Sequence, residues 1–333
     1  MLGKRPALAA MLRCHGTEAN APMSEHEGEA LQPRAFDVPG MRQLPWQKAP
    51  EAPQAVMQFF APEAEQIELL RRRFALHDLQ LIDIRNPQHP ARLIRLAKGH
   101  LLILRLPRLV DDGRLDLASV SLLFDTKLCA IVWPDPAPGD ALERRHLGGV
   151  DIHDTVCRAV HALTERLFSQ LAPMLDTADE LEDACFSDIG HADMASLLTL
   201  RQNLVMLSRA ARNSFIALDP LLGSGSLAGN QYLVDACEHM QRAAARAEAA
   251  AEHLLAVMQA IQSLLGQRMN ETVKLLTIIT VTLSPLAVIT GIFGMNFVHM
   301  DVLKQPWGFA ASLLLMLAIA VGLAAVFKWK RWW

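Results

Sequence analysis

Gly294-Met295-Asn296 ends one long uncharged run and stands just before another, and its residue types could act on an ion. Asn296 carries an amide oxygen, a neutral acceptor. Gly294 lets the chain leave a helix and turn a carbonyl inward, since glycine tolerates unusual backbone angles. Met295 is expected to pack behind such acceptors rather than touch an ion. Several such oxygens together would suit the water shell of a small hard cation that dehydrates reluctantly. A tripeptide alone is a weak signal, and its position between two membrane-length segments is what makes it specific.

Other residues could contribute. Asn270, Thr277, Thr280, Ser284 and Gly291 recur at helical spacing and lay a polar or small stripe along an otherwise apolar segment. Polar residues in lipid face protein or water. A single Ser or Thr can instead bond back to its own helix, so the shared register is the informative part. Asp301 supplies an acid near the motif, with Lys304 weakening its local field. His153, Cys157 and His161 are spaced four apart on one helix face, a spacing that can bind zinc. Such a stripe arises more often from satisfied or solvated side chains. There is no nucleophile elbow, zinc-protease helix, dinucleotide fingerprint or phosphate-binding glycine loop, so an enzyme is not expected.

The elements that must position these residues begin with two spans. No charge occurs between Lys274 and Asp301, and 275–293 is apolar enough to cross a bilayer as a helix. A second run covers 307–327, and the short connection 297–306 makes the pair an antiparallel hairpin. Arg268 and Lys274 before the first span, with Lys328, Lys330 and Arg331 after the second, place both ends in the cytoplasm and the motif outside. Trp307 at one end and Trp329, Trp332 and Trp333 at the other fit interfacial aromatic belts.

Charge is plentiful before Lys274, as in a membrane protein that keeps most of its mass in water. The 32 basic and 35 acidic residues give a formal net charge of -3, which offers nothing to a nucleic acid. The five cysteines show no paired spacing, as suits reduced thiols in the cytoplasm. Residues 1–60, rich in Pro, Glu, Ala and Gly, read as poorly ordered, and Met23 is a candidate alternative start. The apolar piece 7–12 is too short for a signal peptide.

Residues 61–150 read as an α/β unit with a small mixed sheet. It has a helix at 63–76, a strand at 79–83, a short element at 91–96 and a strand at 101–106. Strands at 119–124 and 128–133 then form a hairpin. Helices fill 151–228, over 154–174, 178–186 and 192–218, the last before Pro220. A stalk helix at 229–273 leads into the first span, 274–296, and 328–333 is a basic tail. From Met240 through Ala244, Ala247, Ala251, Leu254, Met258 and Ile261 to Leu265 runs a heptad seam. A hairpin within one subunit explains part of that seam, and self-association explains it better once the span is considered. Unbroken from Gln231 to Gly294, this helix would be on the order of 95 Å long.

In order and spacing, Arg268-Met269-Asn270-Glu271, Leu276-Thr277, Ser284-Pro285-Leu286 and Gly291-Ile292-Phe293-Gly294-Met295-Asn296-Phe297 resemble the pore helix of the CorA family of divalent-cation channels. The resemblance is strong from Tyr232 on and thin before Asp151. It implies an α+β cytoplasmic domain, a long stalk and pore helix, a C-terminal two-helix hairpin and a homopentamer in the inner (plasma) membrane. It implies passage of Mg2+, with Co2+ and Ni2+, closed by intracellular Mg2+, and a filter of Gly294, Met295 and Asn296. The pore-facing positions would be Asn270, Val273, Leu276, Thr277, Thr280, Ser284, Ala287 and Gly291, with Leu276 a candidate constriction. Asp235 matches a position where relatives hold a regulatory ion. Many relatives have larger residues in place of Val273 and Ser284, and a Pro and an acid soon after the motif, where this chain has Val298-His299-Met300-Asp301. The ZntB branch, similar in architecture, makes Zn2+ import, with proton coupling, the alternative. A non-conducting, membrane-anchored oligomeric sensor is the alternative from another class.

Overall fold

In the computed structural model the described residues are 32–38, 40–109, 113–137, 140–223, 225–294, 307–330 and 332. Their strands are β1 (Arg34–Asp37), β2 (Gln43–Leu44), β3 (Ala55–Phe60), β4 (Arg92–Leu96), β5 (Gly99–Leu109), β6 (Leu115–Phe124) and β7 (Leu128–Trp133). They form one mixed sheet in the order β2-β1-β3-β7-β6-β5-β4. β3 and β7 pair in parallel, and every other neighbouring pair is antiparallel. The expected 119–124 and 128–133 hairpin is present, with β6 beginning earlier, at Leu115.

From residue 32 to 60 the reading as poorly ordered is corrected by β1, β2 and β3, and residues 1–31 lie outside the described residues. Ala55–Phe60 lies beside β7 in the middle of the sheet and is buried at every position. Apart from Gln58 the run is wholly apolar, and a strand covered on both faces reads as a continuous apolar run, without alternation. Gln58 is satisfied rather than exposed: its Nε2 donates to Leu142 O and its Oε1 accepts from Leu142 N, both at 2.8 Å. Each large side chain buried here contributes about 1.5–3 kcal/mol.

The expected helix at 63–76 is α1 (Ala64–Phe74), opened by a capping box of Glu63 and Gln66. The strand expected at 79–83 is a helix, α2 (Asp78–Arg85). His77 caps it: Nδ1 accepts from Leu79 N at 3.3 Å, while His77 N donates to Gln80 Oε1 at 2.9 Å. Leu81 and Ile84, three apart, turn to the core, and Leu79 and Ile82 are exposed. Gly99, at φ +104°, opens β5 where a Cβ would stand 2.2 Å from Phe124 O, so only glycine fits.

Helices α3 (Arg144–Leu147), α4 (Ile152–Ser169), α5 (Leu171–Ser187) and α6 (Met194–Leu222) follow. The helix expected over 154–174 breaks at Gln170, because Pro173 lacks the N–H that would bond back across the junction and is tolerated only in the first turn of a new helix. α6 passes Pro220 and ends at Leu222, since a proline in the last turn costs only one internal hydrogen bond. α4 and α6 pack on β5.

The long helix α7 (Gln231–Phe293) is continuous, and α8 (Gly308–Trp329) follows it. The chain divides into two compact units, residues 1–258 and 259–333, and α7 contributes to both. In the first unit the seam residues Met240, Ala244, Ala247, Ala251 and Leu254 are buried within this one chain. Ser208 of α6 donates to Ala244 O at 3.0 Å, Arg212 pairs with Glu248, and His253 pairs with Glu182 of α5 at 2.7 Å. Over that stretch the seam is the packing face of a helical layer inside the subunit, which corrects its reading as a surface for self-association.

Candidate ion pathway and metal-binding cluster

In the second unit, α7 and α8 are each long and apolar enough to cross a membrane. Each carries one partly covered stripe. On α7 it comprises chiefly Lys274, Ile278, Thr282, Pro285, Ile289 and Phe293, and on α8 Ser312, Met316, Ile319, Leu323 and the buried Phe327. These two helices are the described elements of that unit. Trp307 and Trp329 are exposed at the two ends of α8, where the sequence places aromatic belts.

The stripe of Asn270, Val273, Thr277, Thr280, Ser284, Ala287 and Gly291 lies elsewhere on α7. At about 100° per residue it is centred roughly 145° around the helix from the partly covered stripe. All but Thr277, which is half-buried, are exposed, and so is Leu276. Thr277 Oγ1 donates to Val273 O at 2.7 Å, and Thr280 Oγ1 to Leu276 O at 2.8 Å. Back-bonding settles each hydroxyl proton within the helix and leaves the oxygen lone pairs free to accept from water. Pro285 stays inside α7 and removes the donor that would reach Val281 O, beside Ser284 on the uncovered face.

The helical ladder reaches Gly294, whose N–H donates to Thr290 O at 2.9 Å. A Cβ at Gly294 would meet that same oxygen at 3.1 Å, a tight contact that glycine avoids. Met295, Asn296 and Asp301 lie outside the described residues.

The expected zinc stripe does not assemble. Cys157 is 1% exposed in the core, where burial, then Asp154 and Asp151, pushes its thiol up to about 12, so the thiolate a metal needs is disfavoured. His153 lines a separate cavity with His100, Arg95 and Arg73. Four-residue steps drift by about 40° each, so His161 points to another neighbour.

That neighbour is Asp235. His161 Nε2 lies 2.8 Å from Asp235 Oδ2, and His239 Nε2 lies 3.5 Å from Asp235 Oδ1. The ligand atoms of His161, Asp235 and His239 all fall within 4.8 Å of one another. On the far side of the His239 ring, Nδ1 is 3.0 Å from Glu165 Oε2. His161 and Glu165 are four apart on α4, and Asp235 and His239 four apart on α7, so each helix presents two donors on one face. Phe168 stacks on His239 with centroids 4.7 Å apart, and Tyr232 meets His161 edge-on at 5.6 Å. Sequence reasoning singled out Asp235 and His161 separately and missed His239 and Glu165. The signal was available as two matched i, i+4 pairs on helices that meet.

A mixed sheet and a helical layer are followed by two C-terminal apolar helices long enough to cross a membrane, the first with an exposed stripe of polar and small residues. Residues 57–331 match the CorA-like Mg2+ transporter protein family, and the chain belongs to it. It is 25% identical over 277 residues to the cobalt/magnesium transport protein CorA of Thermotoga maritima, covering 78% of this chain and 77% of that protein. It is 28% identical over 228 residues to the divalent cation transporter CmaX of Pseudomonas aeruginosa, covering 65% of this chain and 68% of that protein. The fold is that of the complete CorA magnesium transporter from Methanocaldococcus jannaschii, with TM-score 0.73 and 19% identity over 90% of this chain and 98% of that one.

Proposed function

We propose that copies of this chain, five by the family resemblance, surround a pore lined by α7 and admit divalent cations, chiefly Mg2+ and also Co2+ and Ni2+, across the inner (plasma) membrane. The observation that carries the reading is the polar and small stripe of α7, left exposed on the side away from the partly covered stripe. In lipid such a face needs water or protein, and a ring of identical helices supplies both. Both termini face the cytoplasm, and Asn296 and the Gly294 carbonyl form the outer ring that accepts from the hydrated ion. The membrane potential drives entry, worth about 4.6 kcal/mol for two charges at 100 mV. Intracellular Mg2+ closes the pore; the family resemblance places a contact at Asp235, whose imidazole neighbours suit a softer ion better.

Purified protein in liposomes, assayed side by side for Mg2+, Co2+, Ni2+ and Zn2+ flux, tests this. Wild type is expected to pass Mg2+ under an inside-negative potential, and Asn296→Ala to lose most of that flux. Asp235→Ala tests the contact that the resemblance places there: relief of inhibition by cytoplasmic Mg2+ would support it, and unchanged inhibition would leave Asp235 to another ion. No flux from wild type would favour the anchored sensor. The imidazoles beside Asp235 favour one second reading, Zn2+ import of the ZntB kind. Zn2+ flux that exceeds Mg2+ flux and needs a proton gradient would establish it.

A further inference from the structure

Mg2+ prefers near-octahedral oxygen donors and keeps much of its water. The surroundings of Asp235 are of another kind. Two imidazole nitrogens and one carboxylate converge there from α4 and α7, all within 4.8 Å. His161 Nε2 stands 2.8 Å from Asp235 Oδ2 and His239 Nε2 3.5 Å from Asp235 Oδ1, on the scale of the roughly 3.3 Å edge of a tetrahedron with about 2.0 Å bonds. A borderline-soft ion such as Zn2+, Co2+ or Ni2+ favours this nitrogen-rich set.

A second feature points the same way. Metal-bound histidines generally offer their other ring nitrogen to a carboxylate, which fixes tautomer and orientation. Glu165 Oε2 stands 3.0 Å from Nδ1 of His239, opposite the nitrogen that faces Asp235. The angle between them falls short of a hydrogen bond, so both atoms are buried without a satisfied partner. A small ring rotation would align Nδ1 with Glu165 and keep Nε2 among the other donors. Stacking on Phe168, with centroids 4.7 Å apart, limits how far the ring moves.

The charges around the cluster permit a cation. A cavity of about 310 Å³ opens beside His161 and Glu165 and is lined by Arg145, Arg158 and Arg166. Arg158 is paired with Asp154 and lies over the Tyr232 ring, and Arg145 is paired with Glu143. Arg166 donates to the carbonyls of Asp140 and Ala141. Each guanidinium is committed elsewhere, and the cavity leaves room for a water as a further ligand.

We propose that His161, Asp235 and His239 of a single subunit bind a transition-metal ion, with Glu165 as the positioning carboxylate, and that this site selects Zn2+, Co2+ or Ni2+ over Mg2+. It joins α4 to the first turns of α7. The proposal goes beyond the transport reading, because the binding it describes requires no flux.

The test uses the full-length protein in detergent, stripped with a chelator and dialysed against Zn2+ in the presence of excess Mg2+. Wild type is expected to hold one Zn2+ per chain more than a variant carrying His161→Gln and His239→Gln. Co2+ should give wild type the visible absorption of a low-coordinate ion, which the variant lacks. Glu165→Gln should weaken Zn2+ binding roughly 10–100-fold without abolishing it. Should the double variant fail to fold, Asp235→Asn gives the same comparison. Equal Zn2+ content in wild type and variants, or displacement of Zn2+ by equimolar Mg2+, would overturn the proposal. Flux measured on the same preparations keeps the two readings apart, since retained Zn2+ binding without flux removes only the transport reading.

Discussion

At the scale of single residues, two buried amides fasten the helical layer and a connecting segment to the sheet. Gln58 holds the backbone at Leu142, and Asn203 of α6 holds the start of β6. Asn203 Oδ1 accepts from Leu115 N and its Nδ2 donates to Gly113 O, both at 2.9 Å. Asn203 is 2% exposed, so no water can replace it. A truncated side chain would leave a backbone N–H and a C=O unpaired in the core, costing about 2–3 kcal/mol in all. Asn203→Ala is therefore expected to lower the unfolding temperature of the purified protein by several degrees, and Asn203→Asp to lower it too, because an ionised carboxylate there is buried with an oxygen against Gly113 O. A melt unchanged by Asn203→Ala would mean that this junction carries no strain when unsatisfied. Neither amide stands out in the sequence, because a polar residue in an apolar stretch announces itself only when its burial and partners are known.

At the scale of elements, the most legible parts were those with long periodic patterns. The membrane hairpin, the unbroken helix from Gln231 and the 128–133 strand match their expected positions. Short runs carried less. Leu79, Leu81 and Asp83 alternate as a strand would, and the cap at His77 and Gln80 turns them into α2; five residues cannot separate a strand period from a helical one. Ala55–Phe60 was hidden by the proline-rich chain around it, although six nearly continuous apolar residues are what a doubly covered strand requires. The histidine cluster joins residues 74 positions apart, from His161 to Asp235, and only the packing of α4 on α7 makes the pair visible. The two faces of α7 in the second unit yield a direct test. Thr280→Cys, on the uncovered stripe, should react with a charged thiol reagent and block flux. Ile289→Cys, on the partly covered stripe, should resist the reagent. Labelling at 289 with protection at 280 would reverse the assignment of faces and place the polar stripe against lipid or α8.

At the scale of the whole molecule, what drives assembly follows from where the seam is spent. Met240 to Leu254 is consumed inside the subunit, so it is not available to recruit other copies. The surface left over is the membrane-length part of α7, with Leu276, Ile279, Leu283 and Val288 exposed along with the polar stripe. Two different failures are then expected from two kinds of substitution. Ala247 is fully buried in the layer, and Ala247→Leu should overpack it at a cost of about 1–3 kcal/mol. Its unfolding temperature should fall while the folded fraction keeps the copy number of wild type by native mass measurement. Ser284→Trp, on the uncovered face and away from the subunit core, should spare the fold of the first unit and disturb the number of copies or close the passage. If Ala247→Leu instead released single folded chains, the seam would be an interface between copies after all. If wild type itself were a solitary chain in lipid, the stripe on α7 would have no ring to complete and the pore would not exist.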